Sequence, residues 1–335
     1  MGDLEDLDTV LKRVQGDDFA GSIIDPKIDK IKSTLDNAGV ADWVPDEVEG
    51  YRQLLKDLSS VNPSGFNTSI TSFRAAALAV GSDGDKPTKK DGPDVNPADT
   101  VSANAARAHQ TVSGDGSNDN PPWRGDSADA FGKFIAYYTG GGQAVTSQAW
   151  MFNALELLAL SHQAVYTRVR DDVTKYLDAV QKAADQNDGL FSSPDGSEQF
   201  FVTVIAAVAT VAATAIAPPA GVPVALSLVG ATASQTASVL GSVPKGSPEQ
   251  HDINANSPGA IIDSMYTAYT KMQSGRDDNL KKIKGVLSDM STYIGNTDTR
   301  KKIVGPEVNG GKVPIGGDGT IDPNYRKQFQ PPVNA

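Results

Sequence analysis

A short stretch in the first half of the chain, residues 120–131, limits how the surrounding sequence can fold. Pro121 and Pro122 cannot continue a helix, and they hold the backbone extended immediately before Trp123. Two residues later, Gly125 allows the backbone to turn tightly. A large aromatic side chain beside such a turn can pack across the closed end of two helices. The stretch therefore predicts a corner between a preceding and a following helix.

Helical patterns lie on both sides of this corner. Asn96–Pro97 is typical of an N-cap and first position of a helix, and the pattern runs to about Val112. After the corner, Asp126 or Ser127 is expected to cap a second helical region. The Gly140–Gly142 run predicts that the first turns of this region form a separate short helix.

The Trp-X-Gly triplet between two helical patterns resembles the WXG superfamily, which comprises helical-hairpin proteins exported by type VII (ESX) secretion systems. The match covers about a quarter of the chain and consists of Trp123, Arg124, Gly125, Ala128, Ala130, Phe131 and Phe134. The resemblance implies a hairpin that pairs with another hairpin, supplied by the chain's own flanking helices or by a partner. Gly125 is then expected to lie in a close backbone approach.

The family's export signal, Tyr-X-X-X-Asp/Glu after the second helix, is not found. Tyr166 precedes Asp171 by one residue too many, and Tyr176 is followed at the required spacing by Val180. The resemblance therefore implies export with a partner that carries the signal.

Arg124-Gly125-Asp126 also spells the integrin-binding tripeptide. The same residues are explained as a corner and a helix cap, and the sequence alone favours that interpretation.

Composition excludes several classes of function. The formal net charge of −11 argues against binding to nucleic acid or to anionic lipid. The chain has no cysteine, so it has neither disulfides nor a thiolate metal site. The acidic start, MGDLEDLDTV, lacks the basic and apolar regions of a Sec signal peptide. We expect a secreted or cell-envelope protein that is cytoplasmic before export and leaves the cell without such a peptide.

Apolar spacing of three and four residues recurs through most of the chain and predicts an all-α protein, an elongated helical bundle. The expected longest helices are Gln148–Ala184 and Pro258–Tyr293. The predicted divisions are short helices in 1–81, a linker in 82–95, a bundle in 96–303 and an irregular tail in 304–335. Within the bundle, the Trp-X-Gly hairpin occupies 96–186.

A second unusual segment, 199–244, contains no charged residue and no histidine. Prolines and glycines divide it into two apolar arms, residues 200–217 and 224–243, each close to the length that spans a bilayer. Polar residues dilute the second arm, and no Lys or Arg cluster flanks either end, so a buried helical hairpin is preferred over a transmembrane one. Its marker residues are Phe200, Phe201, Val204, Ile205, Val208, Val211, Pro218 and Pro219.

No motif for catalysis, metal binding or cofactor binding stands out. His162 falls on the apolar stripe of a long helix, where a packed histidine is expected. The carboxylate pairs Asp171-Asp172 and Asp277-Asp278 are expected on solvated helix faces. We therefore expect a non-enzyme without a cofactor, metal ion or catalytic residue.

Two functions remain open from the sequence. The preferred one is a secreted helical protein that acts by self-association, as a dimer or oligomer, or by binding a protein partner. The alternative resembles α-helical pore-forming toxins, in which the charge-free hairpin is stored in the soluble form and inserts into a membrane.

Overall fold

The computed structural model describes residues 7–38, 41–81, 100–114, 124–139, 143–190, 201–206, 249–254, 257–297 and 300. These residues are mostly helical, which confirms the expected all-α character. A π-helical turn at Ala20–Ile24 and a 3-10 turn at Pro63–Phe66 join some of the helices. The α-helices are α1 Leu7–Val14, α2 Asp25–Asn37, α3 Trp43–Leu58, α4 Asn67–Val80, α5 Val101–Ser113, α6 Asp126–Ile135, α7 Gln143–Leu190 and α8 Pro258–Gly295.

The two longest described helices are those that the apolar spacing predicts. α7 has 48 residues and is therefore about 70 Å long, and α8 has 38 residues. α7 begins five residues before the expected Gln148 and continues past Ala184. The short helix expected before the Gly140–Gly142 run is also present, as α6.

A two-stranded antiparallel sheet departs from the helical expectation. Its strands are β1 Phe201–Ala206 and β2 Glu249–Asn254, with Phe201 opposite Asn254 and Ala206 opposite Glu249. The prediction of a helix over the first arm of the charge-free segment is therefore wrong for these six residues. β1 contains Val202, Thr203, Val204 and Ile205 in succession, and β-branched side chains favour a strand.

The chain divides into two compact units. Among the described residues, unit 1 takes those from Leu7 to Leu78 and from Trp150 to Tyr293. Unit 2 takes the residues between these two ranges, together with those from Ile294 onward.

In unit 1, α7 and α8 run antiparallel along each other. Near one end, the rings of Trp150 and Tyr293 meet edge to face at 5.3 Å between centroids. Further along, the Tyr176 hydroxyl donates to the backbone carbonyl of Met265 at 3.4 Å. Burial raises the pKa of Tyr176 well above its ordinary value. In the second half of α7, five apolar residues spaced by three or four are fully buried, as the spacing predicts: Val165, Val169, Val173, Tyr176 and Val180. Met151, Leu155 and His162, which continue the same spacing towards the start of the helix, are only partly buried.

α4 and the 3-10 turn before it pack against the middle of α7. The Phe66 ring stacks on both His162 and Tyr166, at 5.6 and 6.0 Å between centroids. His162 is therefore a packed histidine, as expected for its place on the stripe. Beside this contact, the buried Glu156 forms an ion pair with Arg74 at 2.8 Å. Burial raises the pKa of Glu156, and the nearby guanidinium opposes that rise.

A buried arginine joins the ends of two helices to α7. Arg170 is 2% exposed, and its guanidinium donates to the carbonyls of Val14 and Gly16, at 2.8 Å each, and of Ser59, at 3.0 Å. Val14 ends α1, and Ser59 is the C-cap residue of α3. The Phe19 ring covers the guanidinium at 4.8 Å. The cation thus satisfies carbonyls that helix ends leave without intrahelical partners.

The neighbouring carboxylates correct a prediction from the sequence. Asp171 and Asp172 are each 1% exposed, so this pair does not lie on a solvated face. Asp171 pairs with Arg13 of α1 and with Lys175 one turn along α7. The other pair, Asp277-Asp278, is exposed as expected.

Ion pairs connect α2 and α3 at the surface of unit 1. Arg52 of α3 contacts Asp25 at 2.9 Å, Glu49 at 2.6 Å and also Asp29. Lys32 of α2 contacts Glu49 at 2.9 Å. Hydrogen bonds from Arg52 and Lys32 lower the pKa of Glu49 from its ordinary value of 4.5 to about 2. Because the folded-state pKa is depressed, this carboxylate stabilises the fold fully above pH 4.5, and the contribution is lost as the pH falls toward 2.

Glu49→Gln should lower the free energy of unfolding at pH 7, by no more than about 1 kcal/mol because the pairs are partly exposed. It should also reduce the loss of stability between pH 4.5 and pH 2. Glu47, which is exposed on the same helix, supplies the matched control, and Glu47→Gln should keep the wild-type acid profile. Chemical denaturation across this pH range checks both. If the two variants lost stability identically between pH 4.5 and pH 2, the ion pairs of Glu49 with Arg52 and Lys32 would be contradicted.

Candidate functional site

The helix before the corner begins at a threonine cap. The Thr100 side chain accepts a hydrogen bond from the Ala103 N–H at 3.1 Å, and α5 then runs from Val101 to Ser113. The predicted start at Asn96–Pro97 lies outside the described residues, and the N-cap that the structure describes is Thr100. The predicted end near Val112 is confirmed to within one residue.

Glycines stand at both ends of the segment between α5 and α6. Gly114 follows α5 with φ 73° and ψ 167°, and Gly125 precedes α6 with φ 100° and ψ 174°. Both conformations fall in a region that is open essentially only to glycine. Trp123, the aromatic residue of the motif, lies outside the described residues. The expected position of its indole across the corner stays a prediction.

Gly125 itself is the N-cap residue of α6, and its carbonyl accepts the Asp129 N–H at 3.1 Å. The expected cap by Asp126 or Ser127 is therefore wrong, because the N-cap residue is Gly125 and no side chain caps the helix. The expected close approach at Gly125 is not found among the described residues, since a Cβ atom there would meet no described heavy atom within 4 Å. The backbone angles alone are enough to require glycine at this position.

α6 packs beside α5 in unit 2 and presents two kinds of surface. Ala128 is 3% exposed, whereas Phe131 is 38% exposed. Asp126 and Asp129 lie in the first turn and Lys133 in the last, an arrangement that complements the helix dipole. Of the motif residues, Gly125 is thus the N-cap of α6, and Phe131 lies within the helix.

The end of this region connects closely to the start of α7. The Tyr137 carbonyl accepts hydrogen bonds from the N–H groups of Ala144, at 3.1 Å, and of Val145, at 3.4 Å. Both of these residues are fully buried. Two backbone bonds and two buried side chains therefore fix the first turn of α7 within unit 2.

The predicted apolar hairpin is described only in part. Phe201, Val204 and Ile205 lie on β1, opposite Asn254, His251 and Gln250 of β2. The remaining marker residues, Phe200, Val208, Val211, Pro218 and Pro219, lie outside the described residues.

The described part of the chain contains no group of three or more acidic or histidine side chains placed to hold a metal ion. None of its helices is both long and apolar enough to cross a membrane. No protein-family model, curated protein or solved structure matches the chain.

Sequence reasoning missed Thr100 and Gly114, the two residues that bound α5. A signal for both was present, since Thr is a preferred N-cap residue and Gly is common after the last turn of a helix. The upstream pair Asn96–Pro97 is also typical of a helix start, and it competes with Thr100 as the predicted N-cap. The exposed state of the Arg124–Asp126 turn had no signal in the sequence, because exposure depends on what packs against it.

Gly125→Ala should cost about 1–3 kcal/mol of stability, because alanine strongly disfavours these backbone angles. Gly132 lies in the same helix with open space around its Cα, and it supplies the matched control. Gly132→Ala should stabilise by roughly 0.5–1 kcal/mol through helix propensity. Denaturant unfolding monitored by far-UV circular dichroism measures both changes. Wild-type stability in Gly125→Ala would contradict the described turn.

Proposed function

We propose that this chain is a secreted, non-enzymatic helical protein similar to type VII secretion substrates, acting by association with itself or with a protein partner. The observation that carries the proposal is the turn at Gly125. The Gly of the Trp-X-Gly triplet occupies a glycine-only conformation and caps α6, which packs beside α5. A two-helix arrangement with the triplet at its turn is what the resemblance implies.

A second feature supports association. Phe131 of the motif is 38% exposed on α6, although it is a large apolar side chain. α6 is short, at 10 residues, and isolated helices of that length are marginal in water. Packing against other helices therefore supplies much of its stability, and a paired hairpin is one source of such packing.

The pore-forming alternative gains no support from the described residues. Both functions assume a helical first arm in the charge-free segment, and β1 is a strand over six residues of that arm, so β1 favours neither. The absence of the Tyr-X-X-X-Asp/Glu signal favours export together with a partner that carries it.

The proposal predicts that the protein reaches the culture medium of its source organism through the type VII system. A chromosomally tagged chain should appear in the filtrate of the wild-type strain and remain in the cells of a strain whose type VII system is inactivated. A cytosolic marker protein, absent from both filtrates, controls for lysis. Purification of the retained chain should recover the proposed partner or a self-associated form. Equal secretion by both strains would contradict the proposal.

A further inference from the structure

One face of α3 carries large apolar side chains that stay exposed. Four exposed residues spaced by three or four lie along this face: Trp43, Glu47, Gly50 and Leu54. Trp43 is 51% exposed, and Leu54 is 40% exposed. Single exposed apolar residues are common, whereas a group of them on one surface marks a site of interaction.

α8 forms the second side of this surface in unit 1. The Tyr51 ring of α3 meets the Tyr269 ring of α8 edge to face at 6.2 Å between centroids. Tyr51 lies one turn before Leu54, so this contact places α8 beside the exposed face of α3. Tyr266, one turn before Tyr269, is 64% exposed. We call this region the α3–α8 surface and define it by four exposed residues: Trp43, Gly50, Leu54 and Tyr266.

Carboxylates border one end of the α3–α8 surface. The pKa of Tyr51 is raised to about 12, first by burial and then by nearby groups that include Glu47 and Asp263. Both carboxylates are exposed. A ligand on the surface would therefore meet negative charge on α3 and on α8 at this end.

The other end is acidic as well. Burial raises the pKa of Tyr269, the guanidinium of Arg276 opposes the rise, and the carboxylates of Asp57 and Asp277 add to it. Arg276 forms an ion pair with Asp277 at 2.8 Å, so the charge of Asp57 remains in excess. The α3–α8 surface is thus apolar in the middle and acidic at both ends.

A glycine lies in the middle of the apolar strip. Gly50 is inside α3, where glycine is a poorer helix former than alanine. No described heavy atom lies within 4 Å of a Cβ atom built there, so packing among the described residues does not account for it. On an exposed face, the missing side chain lets the backbone of a ligand approach closely.

Shape and charge together indicate the kind of ligand. Trp43 and Leu54 are eleven residues apart, which is about 16 Å or three helical turns. A strip of this length between two helices suits a third helix with apolar residues spaced by three and four. Acidic borders favour basic residues on both sides of that apolar face.

Two other occupants fit this charge pattern less well. A second copy that placed the same surface against itself would bring like charges together. The segment 199–244 of this chain has no charged residue, so it cannot pair with the borders. We propose that the α3–α8 surface docks an amphipathic helix of a partner protein, with an apolar face flanked by lysine or arginine. This proposal deepens the proposed function, because it rests on partner association and names the surface used for it.

Fluorescence anisotropy of a labelled peptide, titrated with the purified full chain, tests the proposal. The probe is a helical peptide of about 18 residues, or five turns, with leucines spaced by three and four and lysines beside them. We expect saturable binding that weakens as salt is added, because the borders are exposed charges. The same peptide with glutamate in place of lysine should not bind.

Matched substitutions locate the binding. Leu54→Ala should weaken it about fivefold or more, as truncation of a contributing interface residue does. Leu287 has the same 40% exposure but lies on α8 roughly 30 Å from Tyr266, so Leu287→Ala should bind like wild type. Gly50→Gln should also weaken binding about fivefold or more without lowering the melting temperature, since glutamine favours a helix. Gly285→Gln, at an exposed glycine inside α8, should leave binding unchanged.

Equal binding of the two peptides, or equal affinities of Leu54→Ala and Leu287→Ala, would overturn the proposal. No saturable binding would also overturn it, and this is the result if the chain's own residues cover the surface. A wild-type dimer in sedimentation velocity that is lost in Leu54→Ala would identify a second copy as the occupant and would overturn it too. These measurements use purified protein, so they are separate from the secretion assay. Failed export would contradict the proposed class, whereas failed peptide binding would contradict only this surface.

Discussion

The packing of unit 1 depends on one buried guanidinium. Arg170 satisfies carbonyls at the ends of α1 and α3, two helices whose last turns would otherwise leave buried acceptors unpaired. Burial lowers the pKa of Arg170, and the carboxylate of Asp17 opposes that shift. The guanidinium still carries its charge, because arginine stays protonated in proteins. A buried charge is costly unless it is fully hydrogen-bonded, so this residue restricts where α1 and α3 can sit on α7.

The sequence predicts the helices well but not the partners of their charged residues. The spacing of apolar residues by three and four predicts α7 and α8. It also predicts the buried face of α7 that includes Val169 and Tyr176. The same spacing made Asp171 and Asp172 look solvated, because they fall beside the stripe. Their burial comes from tertiary neighbours such as Arg13, which lies 158 residues away in the sequence. Local patterns contain no information about such contacts.

The other departures from the sequence predictions have local causes. β1 was expected to be helical because its surroundings are rich in alanine and carry no charge, and periodicity cannot separate a short apolar strand from a helix. The run of β-branched residues was the signal that could have decided it. At the corner, the sequence predicts a glycine-dependent turn at Gly125 and attributes it partly to a close backbone approach. The described structure shows a requirement for glycine through its backbone angles. Gly125 adopts a conformation that other residues strongly disfavour, and no heavy atom of the described residues lies within 4 Å of a Cβ atom built there.

The proposed function depends on one glycine at this corner. Gly125 caps α6 and so maintains the helix pair on which the proposed secretion class is based. The hairpin and the exposed turn are thus consequences of the same backbone conformation.

Hydrogen exchange of the α1 amides in Arg170→Lys, compared with wild type, tests most directly whether this guanidinium holds unit 1 together. Lysine keeps the charge but lacks the planar fork that donates to three carbonyls at once. Residues 7–14 are expected to lose much more protection than residues 258–293 of α8, because the described hydrogen bonds of Arg170 go to Val14, Gly16 and Ser59 and not to α8. Unchanged protection of α1 would contradict the account, and so would an equal loss in both helices.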